Sequence, residues 1–565
     1  MVESSPGAPS SRRLAGLLRG ARTTVLVIGG GINGIGVFRE LALQGVDVLL
    51  VDRGDFSSGA SAASSHMVHG GIRYLENGEL RLVRESVQER NRLLRLAPHR
   101  VRPLETTIPI FSTFSGLLTA PLRLLTHRQS GRHRERGALL IKVGLTIYDT
   151  FSRGGGIVPR HRFRGRKRSL AELPDLNPGV RYTATYFDAA MDDPERLALD
   201  VLLDGVAAGP GAVALNYVEA IGAEPGGVRL RDVESGAEFT VAADLVINAT
   251  GPWTDLTNAA LGAPTAYLGG TKGSHIVLDD PELLRATGGR EIFFENEDGR
   301  IVLIYPLHGR VLVGTTDLEA DPREPAVCTE AEIDYFVGLV AHVFPNVPVD
   351  RERIVYTFSG IRPLPRHEDT APGLVSRDYR IETDADGPLG VPVLSLVGGK
   401  WTTFRAVSEH LADDALERLG RDRVRSTENL PLSASLGLPE PDARAGWLQA
   451  RLPGIPRGRA EVLLRRYGAR CVAVAPFLDG SDEPIVGDEL STGEIAFLVR
   501  HESVVRLADV LLRRTDLAFR GLADAETVDR TADALARELG WNAVRRLAEI
   551  DETTALLALP DVSRA

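Results

Sequence analysis

A glycine-rich turn lies between an apolar run and a helical pattern near the start of the chain. Residues 23–28 are apolar and β-branched, as in a buried strand, and they run into Gly29-Gly30-Gly31-Ile32-Asn33-Gly34, which contains G-x-G-x-x-G. Gly29 permits a tight turn, Gly31 lets the backbone approach a pyrophosphate, and Gly34 lets helix and strand pack closely. The pattern predicts a β-α-β unit whose helix N-terminus binds the phosphates of a dinucleotide.

An acidic residue ends the second strand of this unit. Residues 46–51 form another apolar run, and Asp52 follows it, eighteen residues after Gly34. A carboxylate at this position accepts hydrogen bonds from ribose hydroxyls, so the context indicates a dinucleotide site rather than a structural turn. Asp52 favours a ribose 2′-hydroxyl over a 2′-phosphate, which disfavours NADP.

Two later strands also run into glycine. Residues 243–249 are followed by Thr250-Gly251, and residues 393–397 by Gly398-Gly399-Lys400. An extended flavin dinucleotide needs contacts from segments far apart in the sequence, so these strands favour FAD over NAD. Residues 399–403 can place backbone N–H groups beside the flavin, and an ammonium there would stabilise negative charge on the reduced ring or on a substrate phosphate.

The periodicities divide the chain into three folded parts. Strand patterns recur at 273–278, 300–305 and 310–314, whereas helical patterns such as 494–513 and 525–539 fill the end of the chain. We therefore predict an α/β protein. Its predicted parts are a disordered lead-in over 1–22, a discontinuous Rossmann-like FAD-binding domain over 23–261 with 356–424, an inserted, mainly β substrate (cap) domain over 262–355, and a C-terminal helical domain over 425–565.

Composition narrows the classes of partner and compartment. The net charge of the 565 residues is −10, which argues against a nucleic-acid-binding protein. Cys328 and Cys471 lack the spacing of a zinc site, so we expect no metal and a reducing, cytoplasmic compartment. Arg12-Arg13 could mark an export signal, but the stretch after it is interrupted by charged residues and runs into the first strand.

One segment departs from the acidic balance. Residues 122–169 contain thirteen Lys and Arg but only two acidic residues, with apolar residues interleaved. The segment is either a solvated basic loop or a surface that lies on anionic lipid headgroups, each nearby Lys or Arg contributing about 1 kcal/mol. The second alternative would place the protein on the inner face of the cytoplasmic membrane.

Small and polar residues crowd the segment 61–75. Its glycines let the chain run close to a ligand, and Arg73 offers a planar donor fork suited to phosphate. Tyr74 adds a hydroxyl. We interpret His66 as a structural hydrogen-bonding group, whereas His69 could be catalytic or could orient the flavin or the substrate.

The same segment resembles the SSxSSKLIHGGxRYLE signature of FAD-dependent glycerol-3-phosphate dehydrogenases. Further stretches of that family's pattern follow in order over nearly the whole chain: Asn248-Ala249-Thr250-Gly251-Pro252-Trp253, Lys272-Gly273-Ser274-His275-Ile276-Val277, Gly314-Thr315-Thr316-Asp317, Ser359-Gly360-Ile361-Arg362-Pro363-Leu364, Gly398-Gly399-Lys400-Trp401-Thr402-Thr403-Phe404-Arg405, His501-Glu502 and Arg513-Arg514-Thr515. The resemblance implies an FAD enzyme that oxidises sn-glycerol 3-phosphate to dihydroxyacetone phosphate and passes electrons to a quinone or another membrane acceptor.

The resemblance also implies a substrate pocket, built from Arg73, Tyr74, His275, Asp317, Arg362 and Lys400. A phosphorylated polyol needs two or three fixed cations, and the three basic residues of this set lie in glycine- or proline-rich stretches. We predict hydride transfer from C2 of the substrate to N5 of FAD, with His275 or His69 as the base for the C2 hydroxyl. The resemblance instead allows Arg362 to stabilise the developing alkoxide. The predicted catalytic residues are therefore His69, His275, Arg362 and Lys400.

The predicted cofactor contacts come from five segments of the chain. They are Gly29, Gly31, Asn33, Gly34, Asp52, Ser61, Ser65, His69, Gly70, Gly71, Thr250, Gly251, Gly398, Gly399, Lys400, Thr402 and Thr403. At four positions this chain departs from the residue that is usual in the family. His66 replaces a lysine, Glu40 an aspartate, Gln44 an arginine and Phe404 a tyrosine. We expect His66 to lie nearer the flavin than Glu40 and Gln44, and its charge would vary with pH where that of lysine would not.

Three other functions stay open at the level of sequence. An oxidase of the same family would pass electrons to O₂ and make peroxide. An amine or 2-hydroxy acid oxidase on a similar flavin fold is disfavoured by the three cations and the helical tail. A flavin-binding sensor without turnover is disfavoured by the dense polar pocket, and a homodimer is compatible with the sequence.

Overall fold

The computed structural model describes residues 22–71, 80–111, 138–152, 158–296, 301–366, 378–385 and 387–560. Arg22 already belongs to the first strand, and the rest of the predicted lead-in over 1–22 lies outside the described residues. The strands are β1 (Arg22–Ile28), β2 (Val48–Val51), β3 (Met67–Val68), β4 (Val101–Ile110), β5 (Arg162–Gly165), β6 (Tyr182–Met191), β7 (Ala212–Leu215), β8 (Val218–Glu224), β9 (Gly227–Asp232), β10 (Glu238–Asn248), β11 (Leu268–Leu278), β12 (Glu291–Glu295), β13 (Ile301–Leu307), β14 (Arg310–Gly314), β15 (Leu318–Glu319), β16 (Ile354–Pro365), β17 (Arg380–Asp384), β18 (Val393–Val397), β19 (Pro484–Val486) and β20 (Leu490–Ser491).

Helices connect these strands and fill the C-terminal part of the chain. They are α1 (Ile32–Leu43), α2 (Leu80–Leu96), α3 (Ala138–Ser152), α4 (Arg166–Glu172), α5 (Pro194–Val206), α6 (Thr254–Ala260), α7 (Pro281–Ala286), α8 (Glu330–Val343), α9 (Phe404–Arg418), α10 (Arg444–Arg451), α11 (Arg457–Tyr467), α12 (Thr492–His501), α13 (Leu507–Asp509), α14 (Ala525–Leu539) and α15 (Ala543–Leu557). A π-helical turn, Val510–Arg514, continues α13.

The first sheet is built around five parallel strands in the order β18-β10-β1-β2-β7. Helices α1, α5 and α9 bury one face of it, and the β8-β9 hairpin packs on the other. A fully buried side chain such as Phe38 or Leu411 stabilises this layer by roughly 1.5–3 kcal/mol relative to an exposed one. The apolar runs read from the sequence are therefore strands buried on both faces, as parallel sheets require.

The register of this sheet brings three loops to one edge. Ile28 pairs with Asn248, which in turn pairs with Ser395, so β1, β10 and β18 end side by side. Ligands of such sheets bind outside the carboxyl ends of the strands. The loops that follow these three strands are three of the glycine-containing segments predicted to hold the cofactor.

The second sheet has ten described strands, and its strands β3, β4 and β6 share a hydrophobic core with the first sheet. β11 pairs along its whole length with β16 and, on its other side, with β14 and β15. The sheet continues through β13, β12, β4 and β6 to β3. Helix α8 covers the face away from the predicted cofactor and buries Phe336 against Ile276 and Leu278.

The segment predicted as the substrate domain shares its sheet with strands from outside its predicted bounds. That domain was expected over 262–355, but β3 to β6 share its sheet and its last strand, β16, runs on to Pro365. Pairing between segments that are distant in sequence cannot be recognised from local periodicity. The sequence pattern therefore predicts these strands as part of the FAD-binding domain over 23–261 and 356–424. The parts remain a proposal for the protein's folding units.

The helical part departs from prediction at one place. The prediction of one helix over 494–513 is wrong, because α12 ends at His501, Ser503 adopts a φ of +55°, and the helix resumes at Leu507. The break frees the carbonyl of Glu502 to accept hydrogen bonds of 3.2 and 2.8 Å from Arg514. A tertiary contact thus replaces continuous helix at this point.

Candidate functional site

The glycine turn lies where β1 ends and α1 begins. Gly29 has a φ of +109°, a conformation that favours glycine, and Gly31 precedes the first residue of α1. A Cβ atom on Gly34 would lie 1.9 Å from the carbonyl oxygen of Gly29, so only glycine lets the helix approach the strand this closely. The turn has the geometry that a dinucleotide phosphate requires at a helix N-terminus.

Asp52 follows β2 and contacts this turn. Its Oδ2 accepts a hydrogen bond of 2.6 Å from Gly30 N, and its Oδ1 accepts one of 2.8 Å from Gly54 N. Burial raises the pKa of Asp52 to about 6, although both backbone hydrogen bonds oppose that shift. The carboxyl group therefore lies beside the turn, where its predicted contact with a ribose would need it.

The late segment 398–403 meets the turn from the other side. Gly398 and Gly399 have φ values of +87° and +92°, and a Cβ atom on Gly399 would lie 2.7 Å from Nδ2 of Asn33. Asn33 Oδ1 is buried, and it has no hydrogen-bond partner within the described part of the chain. An orphaned buried acceptor beside a glycine turn is what a hydrogen-bonding cofactor would satisfy, so the residues present fit FAD.

Ser61 and Thr402 tie a third segment to the same edge. Ser61 Oγ accepts a hydrogen bond of 2.9 Å from the first helical N–H, that of Ile32, and its carbonyl accepts one of 2.9 Å from Trp401 Nε1. Thr402 Oγ1 donates to the carbonyl of His69 at 3.2 Å. Segments that lie more than three hundred residues apart in sequence are thus directly bonded.

Gly70 and Gly71 are held by a buried ion pair. Gly70 N donates to Asp188 Oδ1 at 2.9 Å, and that carboxylate also accepts from Arg90 at 3.1 Å and from the hydroxyl of Tyr148. A Cβ atom on Gly70 would lie 2.1 Å from that hydroxyl oxygen, so glycine is required there. Gly71 has a φ of +73°.

The remaining predicted contacts divide into two groups. Thr250 and Gly251 follow β10 at the same edge, with Gly251 at a φ of +60°, and Thr403 is buried at the start of α9. Arg73 and Tyr74 lie outside the described residues. Their predicted role in substrate binding stays a prediction.

Arg362 lies on β16 and is fixed by the loop after β14. Its Nη1 donates to Asp317 Oδ1 at 3.0 Å, and its Nη2 donates to Thr315 Oγ1 at 2.8 Å and to the carbonyl of Thr316 at 3.0 Å. Gly273 of β11 makes room for the guanidinium, since a Cβ atom there would lie 1.9 Å from Nη2. The Arg362 and Asp317 side chains are each 21% exposed, so a small ligand can reach them.

His275 of β11 lies beside Arg362 in a dry environment. Its Nε2 lies 2.8 Å from Ser65 Oγ, and its ring stacks on Phe358 at 4.7 Å between centroids. Burial, followed by the positive charge of Arg362 and the proximity of His66, lowers the pKa of His275 well below its usual value. His275 is therefore neutral at pH 7.

Lys400 supplies a second cation from the edge of the first sheet. Its Nζ donates a hydrogen bond of 2.7 Å to Ser86 Oγ on α2. Ser65, which contacts His275, and His69, which contacts Thr402, are four residues apart. The segment 65–69 therefore contacts His275 on the second sheet and Thr402, two residues after Lys400, at the edge of the first.

His66 is buried between the second sheet and the helical domain. Its Nδ1 lies 3.2 Å from the carbonyl of Asp192, and its ring packs against Phe519 at 5.3 Å between centroids. Burial lowers the pKa of His66 to about 4. The sequence suggested a charge that varies near neutral pH, but the buried ring stays neutral there, unlike the lysine usual in the family.

Two other departures from the family pattern have a local explanation. Glu40 Oε2 accepts a hydrogen bond of 2.8 Å from Arg423, and Gln44 Oε1 accepts the N–H groups of Val424 and Arg425 at 2.8 and 2.9 Å. Both side chains leave α1 toward the segment that follows α9. They join two parts of the chain and do not contact the glycine turn.

Glu332 was not predicted from the sequence, although it holds the residues next to His275 and Asp317. Its Oε1 accepts from Ser274 at 2.8 Å and from Thr316 at 2.6 Å, the residues before His275 and Asp317. Burial raises the pKa of Glu332, but hydrogen bonds from Lys272, Thr316 and other donors outweigh it and lower the pKa to about 2. The capping box that Glu332 forms with Thr329 at the start of α8 was the available sequence signal.

Family models match most of the chain. The model described as FAD dependent oxidoreductase matches residues 24–387, and the one described as the C-terminal domain of alpha-glycerophosphate oxidase matches residues 394–546. A solved structure, the glycerol-3-phosphate dehydrogenase from Bacillus halodurans complexed with FAD, matches with a TM-score of 0.74 at 23% identity, covering 97% of each chain. At that identity the likeness establishes the fold.

Three curated relatives are similar along most of their length. The glycerol-3-phosphate dehydrogenase of Synechocystis is 34% identical over 88% of this chain and 89% of its own. The aerobic glycerol-3-phosphate dehydrogenase of Escherichia coli is 32% identical over 87% of this chain and 93% of its own. The D-erythritol 1-phosphate dehydrogenase of Brucella abortus is 34% identical over the same shares, 87% and 93%.

Proposed function

Because the chain belongs to the family of FAD-dependent glycerol-3-phosphate dehydrogenases, we propose that it oxidises sn-glycerol 3-phosphate to dihydroxyacetone phosphate. Bound FAD supplies the two-electron acceptor for this oxidation. The observation that carries the proposal is that the Ser65–His69 segment contacts His275, which lies beside Arg362 on the second sheet, and Thr402, which lies two residues after Lys400 at the edge of the first. We infer from these contacts that the cations Arg362 and Lys400 act as a pair. A small dianionic phosphoester is the ligand that such a pair suits.

The two cations bind and orient the substrate in this proposal. Arg362 presents a planar fork whose direction is fixed by Asp317 and Thr315, whereas Lys400 acts as a point charge. Binding energy from the phosphate, which does not react, holds C2 in place for the transfer. We assign the phosphate to these two residues and to Arg73.

His275 is the better supported of the two candidate bases. It is neutral and lies beside Arg362, so it could accept the C2 hydroxyl proton while the guanidinium stabilises the developing alkoxide. Ser65 fixes the imidazole through Nε2. His69 is bonded through its carbonyl to Thr402, and we assign it to the orientation of the flavin.

A direct assay tests the proposed reaction. Purified protein reconstituted with FAD, given glycerol 3-phosphate and a two-electron dye acceptor, is expected to form one dihydroxyacetone phosphate for each dye molecule reduced. Glycerol, which lacks the phosphate, should react with kcat/KM lower by about 10³-fold or more, because a charge-assisted contact is lost. Equal rates with glycerol and glycerol 3-phosphate would remove the phosphate from the recognition scheme.

A longer polyol phosphate is the second candidate substrate. The erythritol phosphate dehydrogenase of Brucella abortus is as similar to this chain as the Synechocystis enzyme. Both substrates carry a phosphate ester near a secondary alcohol, so the same cations would serve either. The ratio of kcat/KM for glycerol 3-phosphate and D-erythritol 1-phosphate decides between them, and we expect it to favour glycerol 3-phosphate.

The pH dependence of the reaction should reflect the buried state of His275. Its depressed pKa keeps the neutral, proton-accepting form dominant at pH 6 and above, and that form is lost only as pH falls further. We expect H275Q to lose about 10²–10⁴-fold in kcat/KM. The ratio of the parent and H275Q profiles should be flat between pH 6 and 8, since ionisation of the substrate phosphate affects both equally. A ratio that changes with a midpoint near 6.5 would contradict this prediction.

We assign the electron acceptor to the membrane, with a quinone as its chemical class. Within the described part of the chain, no helix is long and apolar enough to cross a bilayer. On helix α3, however, Val143 is 51% exposed and Ile147, one turn later, is 42% exposed. The neighbouring Lys142 is exposed as well. Lys142 lies over Phe163, whose strand leads into the exposed 166–168 basic run. An apolar face rimmed by basic groups suits peripheral contact with anionic lipid.

Aspartates on that face should weaken membrane contact. For V143D/I147D we expect binding to anionic phospholipid vesicles to fall about ten-fold or more, since each apolar side chain withheld from lipid costs roughly 1.5–3 kcal/mol. Dye-linked oxidation should be unchanged. The matched control is V544D, at a valine 78% exposed on α15.

Co-sedimentation with vesicles at low and high salt measures the effect. Equal binding of the parent and V143D/I147D would exclude α3 from the contact surface. The remaining parts of the predicted basic segment, 122–137 and 153–157, lie outside the described residues.

The amount of peroxide formed per product distinguishes a quinone-linked enzyme from an oxidase. For the quinone-linked enzyme we expect no peroxide.

A further inference from the structure

The helical tail carries two motifs that the proposed reaction does not use, His501-Glu502 and Arg513-Arg514-Thr515. Glu502 of the first motif contacts Arg514 of the second, and Arg513 and Arg514 contact Asp55 in the loop that follows β2. We propose that Arg513 and Arg514 are positioning residues for FAD: through Asp55 they hold this loop against the glycine turn. The tail would then determine cofactor affinity, a role beyond joining the domains.

The contact centres on one carboxylate. Asp55 Oδ2 accepts hydrogen bonds from Arg513 Nε at 2.6 Å and Arg514 Nη1 at 2.7 Å, and its Oδ1 accepts from Arg514 Nη2 at 2.9 Å. Asn216 adds a fourth donor at 2.9 Å. The bidentate fork of Arg514 fixes the direction of the carboxylate as well as its place.

On the side of the helical tail, the two arginines are themselves fixed by further hydrogen bonds. Arg514 also donates to the carbonyl of Glu502, whose side chain forms a buried ion pair with Arg196 on α5. Arg513 donates to Asp509 at 2.6 Å. The π-helical turn that ends at Arg514 aims both guanidiniums at the loop, and such turns are frequent at functional sites.

The side chains in this contact are removed from water. Asp55 is 1% exposed and Arg514 is 2% exposed. Burial alone would raise the pKa of Asp55, but the two guanidiniums lower it well below its usual range, so the carboxylate is charged. A charged group this deep keeps its place only while its partners are present.

The loop transmits the contact to the dinucleotide turn within three residues. Asp52 accepts the N–H of Gly30, Ser57 N donates to the carbonyl of Gly30 at 2.8 Å, and the ring of Phe56 lies over Gly30. Asp55 lies between these contacts. Displacing it would therefore move the residues on both sides that meet the phosphate- and ribose-binding positions.

The test measures FAD release from the intact holoenzyme. R513Q leaves the bidentate Arg514 contact in place, so the protein should fold, yet Asp55 loses one donor. We expect FAD to leave R513Q at least ten times faster than the parent, followed as recovery of flavin fluorescence after dilution. R513K, which restores the charge without the fork, should recover part of the loss.

A matched control and a second readout separate positioning from simple domain cohesion. R546Q removes an arginine of the same helical domain that pairs with Asp533 at the surface, and its FAD release should stay within two-fold of the parent. The thermal midpoint at saturating FAD is measured for each variant. If R513Q lowered that midpoint while FAD release stayed within two-fold, the contact would only join domains and the proposal would be wrong. The FAD release measurement needs no substrate, so it is independent of the proposed reaction.

Discussion

Replacing Arg362 by alanine is expected to lower kcat/KM for glycerol 3-phosphate by about 10³-fold and to leave the protein yellow. The guanidinium combines a fixed direction, set by Asp317 and Thr315, with access to a ligand. Removing a preorganised donor from a developing charge costs about 10²–10³-fold, and loss of a phosphate contact adds to it. Steady-state rates with a dye acceptor, beside the ratio of flavin to protein absorbance, measure both quantities.

Two further variants, one conservative and one at a distant arginine, show whether the loss of activity is specific to Arg362. R362K keeps a charge but not the fork, so it should recover only part of the rate. R323A removes an arginine that is 68% exposed and paired with Asp321 in the loop after β15, and it should behave as the parent does. Parent-like turnover by R362A would exclude Arg362 from the site.

Replacing Gly34 by alanine is expected to yield protein with little or no bound flavin. The new Cβ atom would lie 1.9 Å from a backbone oxygen, that of Gly29, and 3.3 Å from the Cβ of Ala249. A backbone neighbour cannot rotate away, so α1 must shift from β1 and carry the phosphate-binding N–H groups with it. We expect affinity for FAD to fall about 100-fold or more, equivalent to roughly 3 kcal/mol.

Gly338 provides the matched control, because it too is a helical glycine. No atom lies within 4 Å of the position its Cβ would take, and alanine there should stabilise α8 by roughly 0.5–1 kcal/mol. G338A should therefore be yellow and at least as stable as the parent. Stoichiometric, parent-like flavin in G34A would overturn the steric account of the turn.

Elements written in consecutive residues could be predicted from the sequence. The bounds of β14, β18 and α14 match the expected 310–314, 393–397 and 525–539. An apolar run that ends at glycine signals a strand, and a helical period that ends at Gly540, whose φ is +70°, signals a helix terminus. The glycine turn and Asp52 belong to the same class of local signal.

Arrangements that depend on distant partners could not be predicted. Strands β4 and β6 belong to the second sheet because β4 pairs with β12 and β6 pairs with β4, and no local period in the sequence records such pairing. The predicted helix over 494–513 is interrupted where Arg514 donates a hydrogen bond to the carbonyl of Glu502. Helical propensity describes neighbours along the chain, whereas this contact is tertiary.

The site shows the same division. Arg362, His275 and Lys400 are predicted from a resemblance to a family pattern, and His275 contacts Ser65 of the segment 61–75. The residues that hold them, Glu332, Ser86 and Phe358, are ordinary in type and spacing. Their importance arises only from where the fold puts them, so a single sequence gives little reason to select them.

The central place of β10 in the first sheet has a consequence for biosynthesis. Its partner on one side, β1, is made before it, but its partner on the other side, β18, is made about one hundred and forty-five residues later. While the ribosome works through the intervening segment, β10 exposes an apolar, hydrogen-bonding flank of the kind that recruits other chains. We therefore expect the nascent protein to be prone to association with other chains until Val393–Val397 emerges and pairs with that flank.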